Sequence, residues 1–122
     1  MNPRAPLVLV VDDDQVSRLV LAHMLTRLGC MVIEADDVAA ASELDSVPGL
    51  DLVISDFAMP GGTGLDLLTH LRRQHQRVPF VIMTGLVEHA DLADVDASLT
   101  KPVSTRALID CLRRLWPTWS PP

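Results

Sequence analysis

Aromatic side chains are scarce, at 3% of 122 residues, with two Trp, two Phe and no Tyr. The core must therefore be built from Val, Leu, Ile, Ala and Met, which an apolar share of 48% permits in a single domain. Positive charge is also short. Ten Lys and Arg stand against sixteen Asp and Glu, for a net charge of −6. That is the wrong sign for neutralising nucleic-acid phosphates. No apolar run approaches the ~20 residues that a membrane-spanning helix needs. No basic segment leads into an apolar one as in a secretion signal, because the run Leu7–Val11 is short and ends in acids. A cytoplasmic protein is expected. The two cysteines, Cys30 and Cys111, fit no metal-ligand or redox spacing, so two buried, reduced thiols are expected.

What is present is an alternation. Leu7–Val11 is a continuous run of β-formers that stops at Asp12-Asp13-Asp14, as suits a strand buried on both faces. Val16, Leu19, Val20, Met24, Leu25 and Leu28 then recur at three- and four-residue spacing, predicting a helix closed by Gly29. Met31–Glu34 reads as a second strand and Val38–Leu44 as a short Ala-rich helix. Leu50–Ser55 repeats the first theme and stops at Asp56; Met59 to Gly62 reads as a loop. A helix is predicted from about Gly64 to His75, with Leu65, Leu68 and Leu71 on one face and Thr63 as its cap. Pro79–Met83 is a fourth strand, stopping at Thr84-Gly85. Glu88 to Val95 offers a weak, short helix and Ala97–Thr100 a fifth strand before Lys101-Pro102. The last helix runs from about Ser104 to Leu115, with Leu108, Cys111, Leu112 and Leu115 buried. Pro117, Pro121 and Pro122 end the order, which puts the domain at 1–116 and a Pro-containing tail or linker stub at 117–122.

Five βα repeats with short connections imply a doubly wound α/β sandwich: a parallel sheet with helices on both faces. Ligands in such folds sit at the carboxyl ends of the strands. There the reactive residues collect: Asp12 and Asp13 after the first strand, Asp56 after the third, Thr84 after the fourth and Lys101 after the fifth. Crowded carboxylates need a cation or protons. Their oxygens suit Mg²⁺, which keeps waters and also binds phosphate. A lysine and a hydroxyl would hold phosphate oxygens, and an aspartate beside them can attack phosphorus.

From about Pro6 to Leu115 the chain resembles response-regulator receiver domains of two-component signalling. The resemblance rests on Val10-Val11-Asp12-Asp13, on Asp56-Phe57-Ala58-Met59-Pro60 with Gly64 eight residues after Asp56, on Met83-Thr84-Gly85, and on Lys101-Pro102. It implies a flavodoxin-like fold with strand order 2-1-3-4-5. It implies Asp56 as the phosphoacceptor, Asp13 and Asp56 as direct Mg²⁺ ligands, Asp12 as a ligand through water and the Ala58 carbonyl as another ligand. Lys101 would pair with the phosphoryl group and Thr84 would swing toward it, with Gly85 keeping the site open. The donor would be a sensor histidine kinase or histidine phosphotransfer protein, and a changed partner surface the result. The domain is then a signalling phosphoacceptor rather than an enzyme with turnover.

Two features depart from the family pattern. Ser98 stands three residues before Lys101, where the family commonly has Tyr or Phe, so the usual ring movement cannot report phosphorylation. Sixteen residues separate Thr84 from Lys101 with few apolar ones among them, so the fourth helix is expected to be short or irregular. That helix contributes to the family's dimer and output face; a weak or phosphorylation-dependent dimer and an unconventional output are expected. Ala58 and Leu86 occupy positions that tune hydrolysis in the family, and neither can hold a water, so self-dephosphorylation should not be fast. Asp14 reads as a solvent-facing or helix-starting charge, the four histidines as surface residues, and Trp116 and Trp119 either as a docking patch or as a chain end folded back on the body.

A second reading comes from Val8 to Val16, which also fit the first motif of haloacid dehalogenase-like phosphohydrolases, with Asp12 as nucleophile and Asp14 as general acid. It leaves Asp56 idle and provides no cap domain. A third reading, a pseudo-receiver that acts by binding alone, leaves the complete acid, Thr and Lys set without a task.

Overall fold

The computed structural model describes residues 4–44, 47–74, 77–85 and 94–122. Four helices and seven strands occur among them. They are β1 (Leu7–Val11), α1 (Gln15–Arg27), β2 (Met31–Ala35), α2 (Val38–Leu44), β3 (Leu50–Asp56), β4 (Ala58–Met59), β5 (Gly62–Thr63), α3 (Gly64–Arg73), β6 (Phe80–Thr84), β7 (Ala97–Thr100) and α4 (Thr105–Leu115). The helix expected over Glu88–Val95 falls mostly outside the described residues, as do Leu86, His75 and His89. Among the described residues no helix is long and apolar enough to cross a membrane.

Five strands pair in parallel in the order β2-β1-β3-β6-β7, the 2-1-3-4-5 arrangement expected once the β4–β5 hairpin is set aside. Side chains alternate across a strand, so each central strand supplies both layers. Val8, Val10, Leu52, Ile54, Val81 and Met83 pack against Leu21 and Leu25 of α1 and Leu108 and Leu112 of α4. Leu9, Val11, Val53, Phe80 and Ile82 pack against Ala41 of α2 and Leu67, Leu68 and Leu71 of α3. This two-sided burial is why these strands read as unbroken apolar runs. Cys30 and Cys111 are buried, reduced thiols on the α1–α4 side, and burial pushes the Cys30 thiol up to about 11.

Helix starts follow the expected chemistry. Thr63 and Asp66 form a reciprocal capping box on α3, and Ser104 accepts from Ala107 N–H at α4. The stripe expected on α1 needs correction. Leu21, Ala22 and Leu25 are buried, whereas Val16, Leu19 and Val20 are 69%, 49% and 53% exposed. Apolar residues run around much of this helix, so their spacing alone does not select the face that docks on the sheet. A second correction concerns the segment read as a loop after Met59. Ala58 pairs with Thr63 and Met59 with Gly62, making a hairpin turned at Gly61, whose φ of 82° suits glycine.

The chain end folds back at the amino ends of the strands. Trp116 and Trp119 meet edge to face at 6.3 Å and pack against the α1–α4 core, and Pro122 lies over Gly29.

Candidate functional site

Every reactive residue singled out in the sequence lies on or beside the carboxyl edge of the sheet. β1 runs into Asp12, whose N–H donates to the Ala35 carbonyl at 3.1 Å, extending the pairing with β2. Asp12 is only 1% exposed, and its polar atoms are fully engaged. Oδ1 accepts from Asp14 N–H at 2.9 Å, Oδ2 accepts from Lys101 Nζ at 2.9 Å, and its carbonyl accepts from Arg18 Nη1 at 2.9 Å. Asp13 is exposed. Asp14 caps α1, accepting from Ser17 N–H at 2.9 Å; that bond holds its carboxyl below the usual value.

Asp56 ends β3 opposite Met83 of β6, and Phe57 N–H continues the ladder to the Met83 carbonyl. Lys101 follows β7, where its N–H donates to the Thr84 carbonyl at 2.7 Å. Its ammonium then donates to Asp12 at 2.9 Å and Asp56 at 3.1 Å, bridging the ends of β1 and β3 from the end of β7. Thr84 is half-buried at the end of β6, and the exposed Ala58 lies two residues past Asp56 in β4.

One oxygen from each of Asp12, Asp13 and Asp56 lies within 4.8 Å of the others. Three such charges repel strongly in a partly buried site. Burial raises the Asp56 carboxyl above its usual range, and the charges of Asp12 and Asp13 add to this against the pull of Lys101. On Lys101 the balance goes the other way. Burial works to lower its pKa, but the bonds and charges of Asp12 and Asp56 prevail and raise it. The ammonium therefore stays charged, while Asp56 remains under-compensated. Hard carboxylate oxygens clustered around one point, with charge to spare, fit a magnesium-type cation. Asp13 is exposed, and among the described residues no hydrogen bond engages its carboxylate. Both oxygens of Asp12 are already bonded, which fits contact through water.

Three supporting residues escaped the sequence reading. Ser55, fully buried, donates its hydroxyl to the Asp56 carbonyl at 2.9 Å. It was visible as the one hydroxyl in the run Leu50–Ser55. Arg18 and Glu34 form an ion pair at 3.1 Å beside Asp12. On a helix and a strand edge they look like ordinary surface charges, and nothing in their spacing announces the contact. The reading with Asp14 as general acid finds no support, because that carboxylate serves as a helix cap outside the acid cluster.

This fold and this edge define a receiver domain. The chain belongs to the response regulator receiver domain family, whose model matches residues 8–113. It is similar to the phosphate regulon transcriptional regulatory protein PhoB of Escherichia coli K12, at 29% identity over 93% of this chain and 53% of that protein. It is also similar to the Regulator of RpoS of the same strain, at 36% identity over 79% of this chain and 30% of that protein. The chain thus spans about half the length, or less, of these relatives. Among solved structures, Vibrio cholerae chemotaxis protein CheY4 superposes with a TM-score of 0.83 at 27% identity, covering 91% of this chain and 98% of that one. The receiver domain of the hybrid histidine kinase CckA gives a TM-score of 0.76 at 28% identity, covering 89% and 97%.

Proposed function

We propose that this receiver accepts a phosphoryl group onto Asp56 from a phosphohistidine on a kinase or phosphotransfer protein, with Mg²⁺ bound. The observation that carries this is the Lys101 ammonium bridging Asp12 and Asp56 within an acid cluster that one cation leaves under-neutralised. An Asp56 oxygen attacks phosphorus, the P–N bond of the donor breaks with its electron pair going to the imidazole, and an acyl phosphate forms. Lys101, already within reach of Asp56, moves its hydrogen bond to a phosphoryl oxygen. Thr84, tied to Lys101 through its carbonyl, supplies a hydroxyl to another. Asp13 and Asp56 directly, Asp12 through water and the Ala58 carbonyl would hold the Mg²⁺, which neutralises charge on the phosphoryl oxygens.

The donor docks, on this reading, against the exposed apolar face of α1. Val16 and Val20 line a groove of about 390 Å³ that also takes in Asp12, Lys101, Pro102 and Val103. The patch is therefore continuous with the acceptor site. A partner seated there brings its phosphohistidine to Asp56.

Incubation with Mg²⁺ and acetyl phosphate or phosphoramidate, followed by intact mass, tests the acceptor. One added phosphoryl group is expected, absent without Mg²⁺ and absent in Asp56→Asn. The adduct should persist for minutes, because Ala58 cannot orient a water; a lifetime of seconds would remove that part of the reading. If neither the adduct nor Mg²⁺-dependent beryllofluoride binding is seen, the phosphoryl mechanism fails and binding alone remains.

A further inference from the structure

We infer that Arg18 and Glu34 form a two-ended brace that positions the metal-binding carboxylates, an assignment that rests on the Mg²⁺ reading above. Arg18 Nη1 donates to the Asp12 carbonyl at 2.9 Å, and its Nε donates to Glu34 Oε1 at 3.1 Å. The guanidinium thereby joins three elements. It projects from α1, grips the peptide between Asp12 and Asp13, and is tied to β2 by Glu34. Its side chain is only 16% exposed, well below an ordinary helix-surface arginine.

Asp12 and Asp13 stand where β1 has ended and α1 has not begun, so strand pairing alone does not orient them. The Ala35 carbonyl holds one side of that peptide stretch through Asp12 N–H, and Arg18 holds the other through the Asp12 carbonyl. The guanidinium makes both bonds from donors on separate nitrogens held rigidly in one plane, a geometry that an ammonium, with its donors on a single atom, does not fix. Glu34 keeps the fork from turning and offsets its charge, so that a cation site can tolerate an arginine close by.

Electrostatics and positioning predict opposite signs here. Removing a positive charge beside an acidic cation site should tighten Mg²⁺ binding. Removing a brace that orients the ligands should weaken it, by about tenfold or more for outer partners of metal ligands. A purely structural role would lower folding stability and leave the affinity of the folded protein unchanged or tighter.

The measurement is Mg²⁺ titration by calorimetry on the full chain, well below its unfolding temperature, for wild type and Arg18→Met. A roughly tenfold weaker Kd is expected for the variant. Unchanged or tighter binding overturns the brace. Should Arg18→Met fail to fold, Arg18→Lys carries the test: it keeps the charge but gives up the rigid planar fork, so a several-fold loss is expected and an unchanged Kd overturns the assignment. A wild type that binds no Mg²⁺ would instead remove the Mg²⁺ reading on which the brace rests, and the brace with it.

Discussion

At Gly64 a Cβ would stand 2.5 Å from Ile82 Cδ1 and 2.7 Å from the Asp56 carbonyl oxygen, with Ser55 Oγ at 3.2 Å. The ring of contacts includes backbone, which has nowhere to retreat, because Gly64 N–H also donates to the Phe57 carbonyl at 2.7 Å. Gly64→Ala should therefore cost about 1–3 kcal/mol, as overpacking usually does, in a urea titration. It should also slow loading of Asp56 by acetyl phosphate, because the strain falls on the acceptor's own peptide; a variant that loads at the wild-type rate would separate the glycine from the chemistry. The acceptor makes a second prediction. Its carboxyl is raised above 3.8, first by burial and then by Asp12 and Asp13 against Lys101. The native state thus holds this proton more tightly than the unfolded chain. Its contribution to stability is fullest at low pH and declines as pH rises from the ordinary value through the raised one. Asp56→Asn should then unfold at higher urea than wild type at neutral pH without Mg²⁺, with the gap narrowing as pH falls toward 3.8. Equal midpoints at neutral pH would mean that Lys101 already offsets the crowding.

Among the elements, α1 divides one set of apolar residues between the core and the groove proposed above for the donor. Leu21, Ala22 and Leu25 bury against the sheet, while Val16 and Val20 face outward into the groove that also takes in Asp12 and Lys101. Glutamate at Val16 and Val20 should leave stability within about 0.5 kcal/mol, since both positions are more than half exposed. Transfer from the phosphohistidine partner should fall at least tenfold, while loading by acetyl phosphate, which needs no docking, stays unchanged. Loss of both would indicate damage to the site, and loss of neither would move the docking surface elsewhere. The same helix marks the boundary of what was legible in the sequence. The strands that end at Asp12, Asp56, Thr84 and Lys101 were readable because each apolar run stops abruptly at a polar residue, and that alone placed the reactive groups on one edge. The burial of α1 was not readable, because its apolar residues surround the helix and only docking chooses among them. The β4–β5 hairpin escaped because two-residue strands carry no periodicity. The Arg18–Glu34 brace escaped because charge pairs between distant segments leave no local signal.

On the scale of the whole molecule, the two tryptophans lie at the end of the sheet opposite the acid cluster. They line a groove with Arg4, Ala5, Pro6 and Asp51, residues that precede or begin strands. Arg4 and Asp51 pair there at 3.0 Å, and the Asp51 carboxylate also accepts from Leu7 N–H at 2.8 Å, so the chain's first described residues and its last turn close the same floor. Trp119 is tied to Trp116 by a backbone bond of 2.9 Å and packs with it on the α1–α4 core. A boundary drawn at residue 116 would cut through this pair. We expect Trp119→Ala to cost about 1–3 kcal/mol in urea denaturation, below the ~3–5 of a fully buried tryptophan. The location also makes the pair a test of how far the switch reaches. With Ser98 in place of an aromatic ring, the usual internal reporter is missing from the strand next to Thr84. If the response to phosphorylation stays at the carboxyl edge, tryptophan emission should not change when Mg²⁺ and beryllofluoride are added to the wild type. A clear change would show that the shift at Thr84 and Lys101 travels through β6, β7 and the α4 core to the opposite floor. The output surface would then have to be sought at both ends of the sheet.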